Sequence, residues 1–281
     1  TISNGGAAEV RYGAANRSNA LETRRQLFHE NTAGVPDNAG IADEFGYAVA
    51  AGDFDADTFD DLAIGVPLDS DEGVADAGRV IVLYGTATGI TTAGVQNVDV
   101  GMWGVSPSGP NHMGWALAVG DFNNDGPSDL AIGFPNSAAG KGLVYAAKGS
   151  FPGLRPGHAN IQGGGGISDT AEAGDNLGWS LASGHFNDDP FWDLVIGAPG
   201  EGIPNGATEI ARAGMVHVLY GKSTGIDGVG SQFWRSGDAE VGDQFGYSVA
   251  AGSFDGDRFD ELAIGVPFEA RFRGPVGGDV V

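Results

Sequence analysis

Four nine-residue segments carry oxygen-bearing side chains at alternate positions. The first, residues 53–61, places Asp53, Asp55, Asp57 and Asp61 at positions one, three, five and nine. The second has Asp121, Asn123, Asp125 and Asp129, and the third has His185, Asn187, Asp189 and Asp193. The fourth has Ser253, Asp255, Asp257 and Glu261. On a tightly turned loop such side chains can all aim at one centre, and the last carboxylate can close the cage in bidentate fashion. A backbone carbonyl near position seven, from Phe59, Pro127, Phe191 or Phe259, adds a further oxygen. Hard oxygen donors in that number suit Ca²⁺ better than Mg²⁺, which demands a tighter octahedron and keeps its waters. For any one loop the plain alternative is a polar hairpin turn, since Asp, Asn and Gly favour turns anyway. Four in register, each with oxygen at positions three, five and nine, favour the metal.

The four sets are unequal. The first two have complete carboxylate or amide sets. Ser253 puts a neutral hydroxyl at position one of the fourth, and His185 puts a poor calcium ligand at position one of the third. Three to four Ca²⁺ ions are therefore expected, with the third loop the weakest.

Each loop lies inside a longer repeat. The segments 43–67, 111–135, 175–199 and 243–267 align without insertion or deletion, their starts 68, 64 and 68 residues apart. Self-similarity at such a period points to an array of equal structural units. In the first unit, 47–52 is a short run of small apolar residues bounded by Gly46 and Asp53, which predicts a buried strand rather than a helix. A second strand is expected at 62–66, stopped by Pro67, a third at 79–84, and a more polar edge strand at 95–100. Later copies of the third strand fall at 143–147 and 215–220. Four short antiparallel strands per period describe the blades of an all-β propeller, with a β-sandwich as the other architecture considered. Residues 6–13 align with 78–85, so 1–42 is read as the last strands of a preceding blade. Residues 278–281 align with the start of the third strand, so more chain is expected beyond Val281 and before Thr1. The whole of 1–281 is taken as one propeller domain or part of one.

Composition narrows the function classes. Fifty glycines fall at fixed places in the repeat, which signals many tight turns in a folded chain. With 37 acidic and 14 basic residues the net charge is −23, which disfavours binding to nucleic acid or to an anionic membrane through bulk electrostatics. There is no cysteine, hence no disulfide framework and no thiolate metal site. No apolar run approaches the roughly 18 residues of a membrane span.

The repeats resemble the FG-GAP repeat of integrin α chains and related extracellular proteins. The first dipeptide of that motif stands at Phe45-Gly46 and Phe245-Gly246, and in altered form at Met113-Gly114 and Leu177-Gly178. The second part stands at Gly65-Val66-Pro67, Gly133-Phe134-Pro135, Gly197-Ala198-Pro199 and Gly265-Val266-Pro267. The resemblance implies a ring usually of seven blades, of which this chain holds four repeats, with calcium between the first and second strands. It also implies a secreted or cell-surface setting.

Function is then sought on the blade faces. Connections between strands two and three, and between blades, differ among copies and share the face opposite the metal loops. Variable loops on a rigid scaffold are the usual place for recognition, and Trp103, Arg212, Trp234 and Arg271 are its candidate residues there. The five histidines (His29, His112, His158, His185 and His217) are scattered, and the repeated carboxylates are already assigned to metal. No catalytic constellation results. The expected function is a calcium-stabilised, non-catalytic extracellular adhesion or binding module taking a protein or carbohydrate ligand. The alternative is the propeller portion of a secreted enzyme acting on polysaccharide or lipid.

Overall fold

A computed structural model describes residues 5–13, 21–36, 40, 42–70, 73–99, 101–102, 109–160, 162, 166–167 and 169–269. Three complete four-stranded antiparallel sheets follow the first three repeats. They are β3–β6 (Val49–Gly52, Asp61–Val66, Arg79–Tyr84, Thr91–Asp99), β7–β10 (Leu117–Gly120, Asp129–Gly133, Val144–Lys148, Arg155–Asn160) and, skipping one hairpin, β11, β12, β15 and β16 (Ser180–Gly184, Asp193–Ala198, Met215–Leu219, Gln232–Trp234). Ahead of them β1 and β2 (Ala8–Gly13, Leu21–Phe28) pair as the expected last two strands of a blade. After them β17 and β18 (Ser248–Gly252, Glu261–Gly265) pair as the first two strands of the fourth repeat. The expected strand at 278–281 lies outside the described residues.

The second and third strands read as unbroken apolar runs because both their faces are covered. Along Arg79–Tyr84, Ile81 and Leu83 pack with Ile64, Val66 and Phe45 toward the β1–β2 sheet. Val80 and Val82 pack with Leu130, Ile132 and Tyr145 of the next blade. Equivalent clusters fill the two following junctions. The core is thus a series of apolar layers between blades, as stacked units that cannot bury a face alone require.

Glycine sets the spacing between blades. The Gly114 N–H donates to the Gly133 carbonyl of the same blade at 3.1 Å, joining the two halves of the motif. The carbonyl of Gly114 also faces Gly65 of the preceding blade so closely that a Cβ on Gly65 would lie 2.0 Å from that oxygen. The same contact repeats between Gly133 and Gly178, where the distance would be 2.2 Å. Any side chain there would force the blades apart.

Two expectations need correction. The first strands are not buried: Val49 is 57 % exposed and Ser180–Gly184 is half-buried for most of its length. These strands stand side by side, with Ser183 Oγ donating to the Val119 carbonyl at 2.6 Å. Their small residues let them converge, but their inner flank has no covering layer. The 200–213 connection, expected as a loop, holds a hairpin of β13 (Ile203–Asn205) and β14 (Thr208–Ile210). Its two-residue turn begins at Gly206, whose φ of 65° suits a tight hairpin turn.

Candidate metal loops and a row of aromatic rings

The nine-residue segments all join the first and second strands, on one edge of the blade stack. Their position-nine carboxylate binds backbone first. Asp61 accepts from the N–H of Phe54 and of Gly85, both at 2.8 Å. Asp129 accepts from Phe122 and Gly149 at 3.1 and 2.9 Å, and Asp193 from Phe186 and Gly221 at 3.0 Å each. One carboxylate therefore ties the start of its loop to the end of the third strand in each complete blade. Burial pushes Asp61 up to about 6, although both N–H donors and nearby acids act on it as well. Burial likewise pushes Asp129 up to about 7, and Asp193 in the same direction. A buried carboxylate among other acids holds its charge poorly unless a cation is near.

In the first loop positions one, three and five lie outside this lock. Asp53 accepts from the N–H of Asp57 and Thr58, at 3.1 and 2.9 Å, and Asp55 from Asp57 at 3.2 Å. These turns curl the loop so that carboxylate oxygens of Asp53, Asp55 and Asp57 lie within 4.8 Å of one another. Asp255, Asp257 and Glu261 form a second such trio. In the middle two loops position three is an amide, Asn123 or Asn187. Asn123 is buried and its Oδ1 has no hydrogen-bond partner, while its Nδ2 lies 3.4 Å from Asp129 Oδ1. A free buried amide oxygen beside a carboxylate is the donor set of a hard cation, and the first, second and fourth loops fit Ca²⁺ on that chemistry.

The third loop satisfies itself. His185 Nδ1 lies 3.0 Å from the carbonyl of Phe191, the position-seven oxygen that an ion would otherwise use. The imidazole also packs on Trp192, with ring centroids 4.9 Å apart. Hydrogen bonds chain the loops across blades. The position-one carbonyl of each accepts from position eight of the next: Ser128 to Asp53 at 2.7 Å, Trp192 to Asp121 at 3.2 Å, Asp260 to His185 at 2.8 Å.

The opposite edge has a feature that the sequence reading passed over. The residue after each motif dipeptide is aromatic: Tyr47, Trp115, Trp179 and Tyr247. These rings form a row from blade to blade, with centroids 4.5, 4.8 and 5.4 Å apart, and Phe268 extends it at 6.3 Å. His112 stacks on Trp115 at an interplanar angle of 14°. Tyr47 and Tyr247 are exposed and the two tryptophans half-buried. The signal was an aromatic residue at one fixed position of the repeat.

Of the four candidate recognition residues, Arg212 joins this row. It lines a hollow of about 280 Å³ with Trp179, Tyr247 and Phe268. Trp234 does not: it stands on the outer strand β16, beside Phe186 and Tyr220 at the flank of the third blade. Trp103 and Arg271 lie outside the described residues. Among the described residues, no helix is long and apolar enough to cross a membrane.

Comparison with known proteins agrees with the repeat pattern. The family profile described as "FG-GAP repeat" matches residues 45–83, 113–146 and 245–280. The third copy, with its Leu177-Gly178 dipeptide and His185, falls between the matched segments. Phosphatidylinositol-glycan-specific phospholipase D of Bos taurus is 35 % identical over 189 residues, covering 64 % of this chain and 21 % of that protein. The Homo sapiens protein of the same description is 33 % identical, covering 73 % of this chain and 24 % of its own length. Integrin alpha-5 of Xenopus laevis is 28 % identical over 251 residues, covering 87 % of this chain and 21 % of that protein. The chain thus spans about a fifth to a quarter of the length of these three relatives.

Proposed function

Because the chain belongs to the FG-GAP repeat family, with propeller-type blades like those of integrin α chains, we propose that it is a non-catalytic binding module of an extracellular or cell-surface protein. In this reading calcium in the repeat loops stiffens one edge of the blades, and recognition occurs on the other. The observation that carries it is the aromatic row. Four rings from one repeat position pack at tilted angles of 40–50° into a continuous, partly exposed strip. Such a strip offers flat apolar faces to the C–H side of a sugar ring, or to an apolar or cationic side chain of a protein. Arg212 at its end adds a hydrogen-bonding fork for a carboxylate or hydroxyl.

Calcium follows from the loop chemistry. The ion would be held by Asp53, Asp55, Asp57 and Asp61, by the equivalent residues of the second and fourth loops, and by the position-seven carbonyls. Its role would be to balance the clustered carboxylates, among them Asp61 and Asp129, whose pKa values burial raises.

A second reading is favoured by one observation, the similarity to proteins described as phosphatidylinositol-glycan-specific phospholipase D. There the chain would be the propeller portion of an enzyme acting on lipid or polysaccharide. A glycan array and a panel of extracellular matrix proteins, run beside a phosphodiesterase and glycosidase panel, separate the two. The binding reading expects a retained ligand, lost at least tenfold in Trp115→Ala with Trp179→Ala, and no turnover. Turnover by the isolated chain, or binding indifferent to both tryptophans, contradicts it.

A further inference from the structure

Three features at the fourth repeat are half-made. The first is its sheet. β17 and β18 are the first two strands of a blade, and the edge of β18 that β5 takes on β4 carries no strand among the described residues. The face toward the next blade is bare as well. Phe254 is 66 % exposed, whereas the equivalent Phe54 and Phe122 are covered by the blades that follow theirs.

The second is the position-nine lock. Glu261 accepts from the N–H of Phe254 at 2.6 Å. The other donor, supplied in the first three repeats by Gly85, Gly149 and Gly221 at the end of the third strand, has no counterpart here among the described residues.

The third is a clamp between blades. Tyr12 donates to Gln26 Oε1, and Gln26 grips the backbone of Ile90 in the next blade. It donates to the Ile90 carbonyl at 2.8 Å and accepts from the Ile90 N–H at 3.1 Å. Tyr84 and Gln96 hold Leu154 of the following blade in the same way, at 2.7 and 3.0 Å. The third blade repeats the pair as Tyr220 and Gln232. These line a groove of about 480 Å³ with Val218, Trp234, Leu262 and Ile264, and grip no backbone among the described residues.

The other end of the chain holds what is missing. β1 and β2 pair as the third and fourth strands of a blade without its first two. In the alignment of 6–13 with 78–85, Gly13 stands for Gly85, the donor to position nine. Leu21, opposite Gly13 in the β1–β2 register, comes where Ile90 follows Gly85. Residues 278–281 align with 78–81 alone and reach neither position. Charge agrees with the match. Residues 1–28 carry four arginines against Glu9 and Glu22, a net charge of +2, whereas 243–267 carry five acids against Arg258, a net charge of −4. Glu9 and Arg11, exposed and paired with each other at 2.6 Å, take the places of Ile81 and Leu83. The groove that would receive them includes Arg235 and Asp260, an opposite charge for each.

We propose that this chain associates head to tail with a second copy, β1 of one adding to the free edge of β18 of the other so that two half-blades complete one. The first blade sets the register: Ile64 faces Ile81, so Ile264 faces Glu9. Gly13 then gives Glu261 its second N–H, and the Tyr220–Gln232 clamp takes the backbone at Leu21. Each copy supplies three complete blades and two halves, so two copies close at eight blades, within the range of known propellers. The aromatic row runs on from Tyr247 of one copy to Tyr47 of the next.

The chain has no cysteine, so introduced ones report the contact. Glu9→Cys and Ile264→Cys proteins, mixed and mildly oxidised, should form a covalent dimer about tenfold faster than Arg11→Cys mixed with Ile264→Cys, whose Cα atoms stand out of register. Light scattering over a dilution series of the wild-type chain should show two copies per particle. Gln232→Ala should weaken that association about fivefold, with an unchanged circular dichroism spectrum. A single copy per particle throughout, as follows if residues 270–281 fill the groove themselves, overturns the proposal. So do equal cross-linking rates in both mixtures, or an association that Gln232→Ala leaves unchanged. Should a cysteine variant fail to fold, the wild-type particle mass still decides.

Discussion

The second and third repeat loops share a frame and differ in what fills it. In both, the position-nine carboxylate takes two backbone N–H groups, through Asp129 and through Asp193. At position one they part. Asp121 curls the second loop by accepting from the N–H of Asp125 and Gly126 at 3.1 and 2.9 Å. His185 reaches across the third loop to the Phe191 carbonyl and consumes an oxygen that an ion would use. The pair separates two duties that sequence alone merges: position nine locks the blade, and in the proposed reading positions one, three and five recruit the metal.

The largest expected effect comes from breaking what the two loops share. Asp129→Ala and Asp193→Ala each strand two backbone donors that are buried with their carboxylate, at about 1–3 kcal/mol for each donor. Urea midpoints of the metal-free protein should fall by similar amounts for both. No loss for either variant in the metal-free protein would mean that position nine matters only through metal.

Exchanging what differs should move ion number rather than fold. His185→Asp frees the Phe191 carbonyl and restores a carboxylate, so it should add one calcium ion per chain, read by elemental analysis after dialysis. Asp121→His should remove one. An unchanged count for both substitutions contradicts the division of labour.

Acidity sharpens the same contrast. Without metal, Asp61 and Asp129 sit at about 6 and about 7 when folded, against roughly 3.9 for an unfolded Asp. The folded chain then binds the extra protons, so metal-free stability is greatest below the unfolded value and is lost as pH rises through the folded ones. Calcium favours the charged form and opposes that loss. The gap in melting temperature between calcium-loaded and metal-free protein should therefore widen from about pH 5 to about pH 7.5. A gap that narrows over that range would reverse the sign.

The smallest effect compares the first loop with the second. Position six is Gly126 in the second, at φ 110°, but Thr58 in the first, at φ 78°. A β-branched residue in that region stores about 1–2 kcal/mol. Thr58→Gly should stabilise the metal-free chain by about 1 kcal/mol, net of glycine's entropy cost, and Gly126→Ala should destabilise it. Denaturant midpoints measure both.

Much of this was legible from residues alone, and the reason is repetition. The period, the strand order and all four loops follow from a segment that recurs without a gap, and Arg79–Tyr84 spans its expected strand to the residue. What was misjudged depended on neighbours in space. Val49 looks like core by composition, and only the placement of four first strands side by side shows its other flank open. The hairpin at Ile203–Asn205 was hidden in a connection unique to one repeat, although Asn205-Gly206 is a turn signal. The aromatic row was present in register at Tyr47, Trp115, Trp179 and Tyr247, but its meaning needed the distances between blades. That His185 bonds the Phe191 carbonyl depends on a side-chain geometry that no spacing encodes.

The central claim is that calcium in the repeat loops clamps the blades, and thermal unfolding with and without chelator tests it most directly. An ion bound only to the folded state stabilises it by about 2.7 kcal/mol per site at a hundredfold excess over Kd. Chelation should lower the melting temperature by several degrees, and calcium should restore it with at least two of the first, second and fourth loops filled. An identical melting temperature in both conditions would contradict the account.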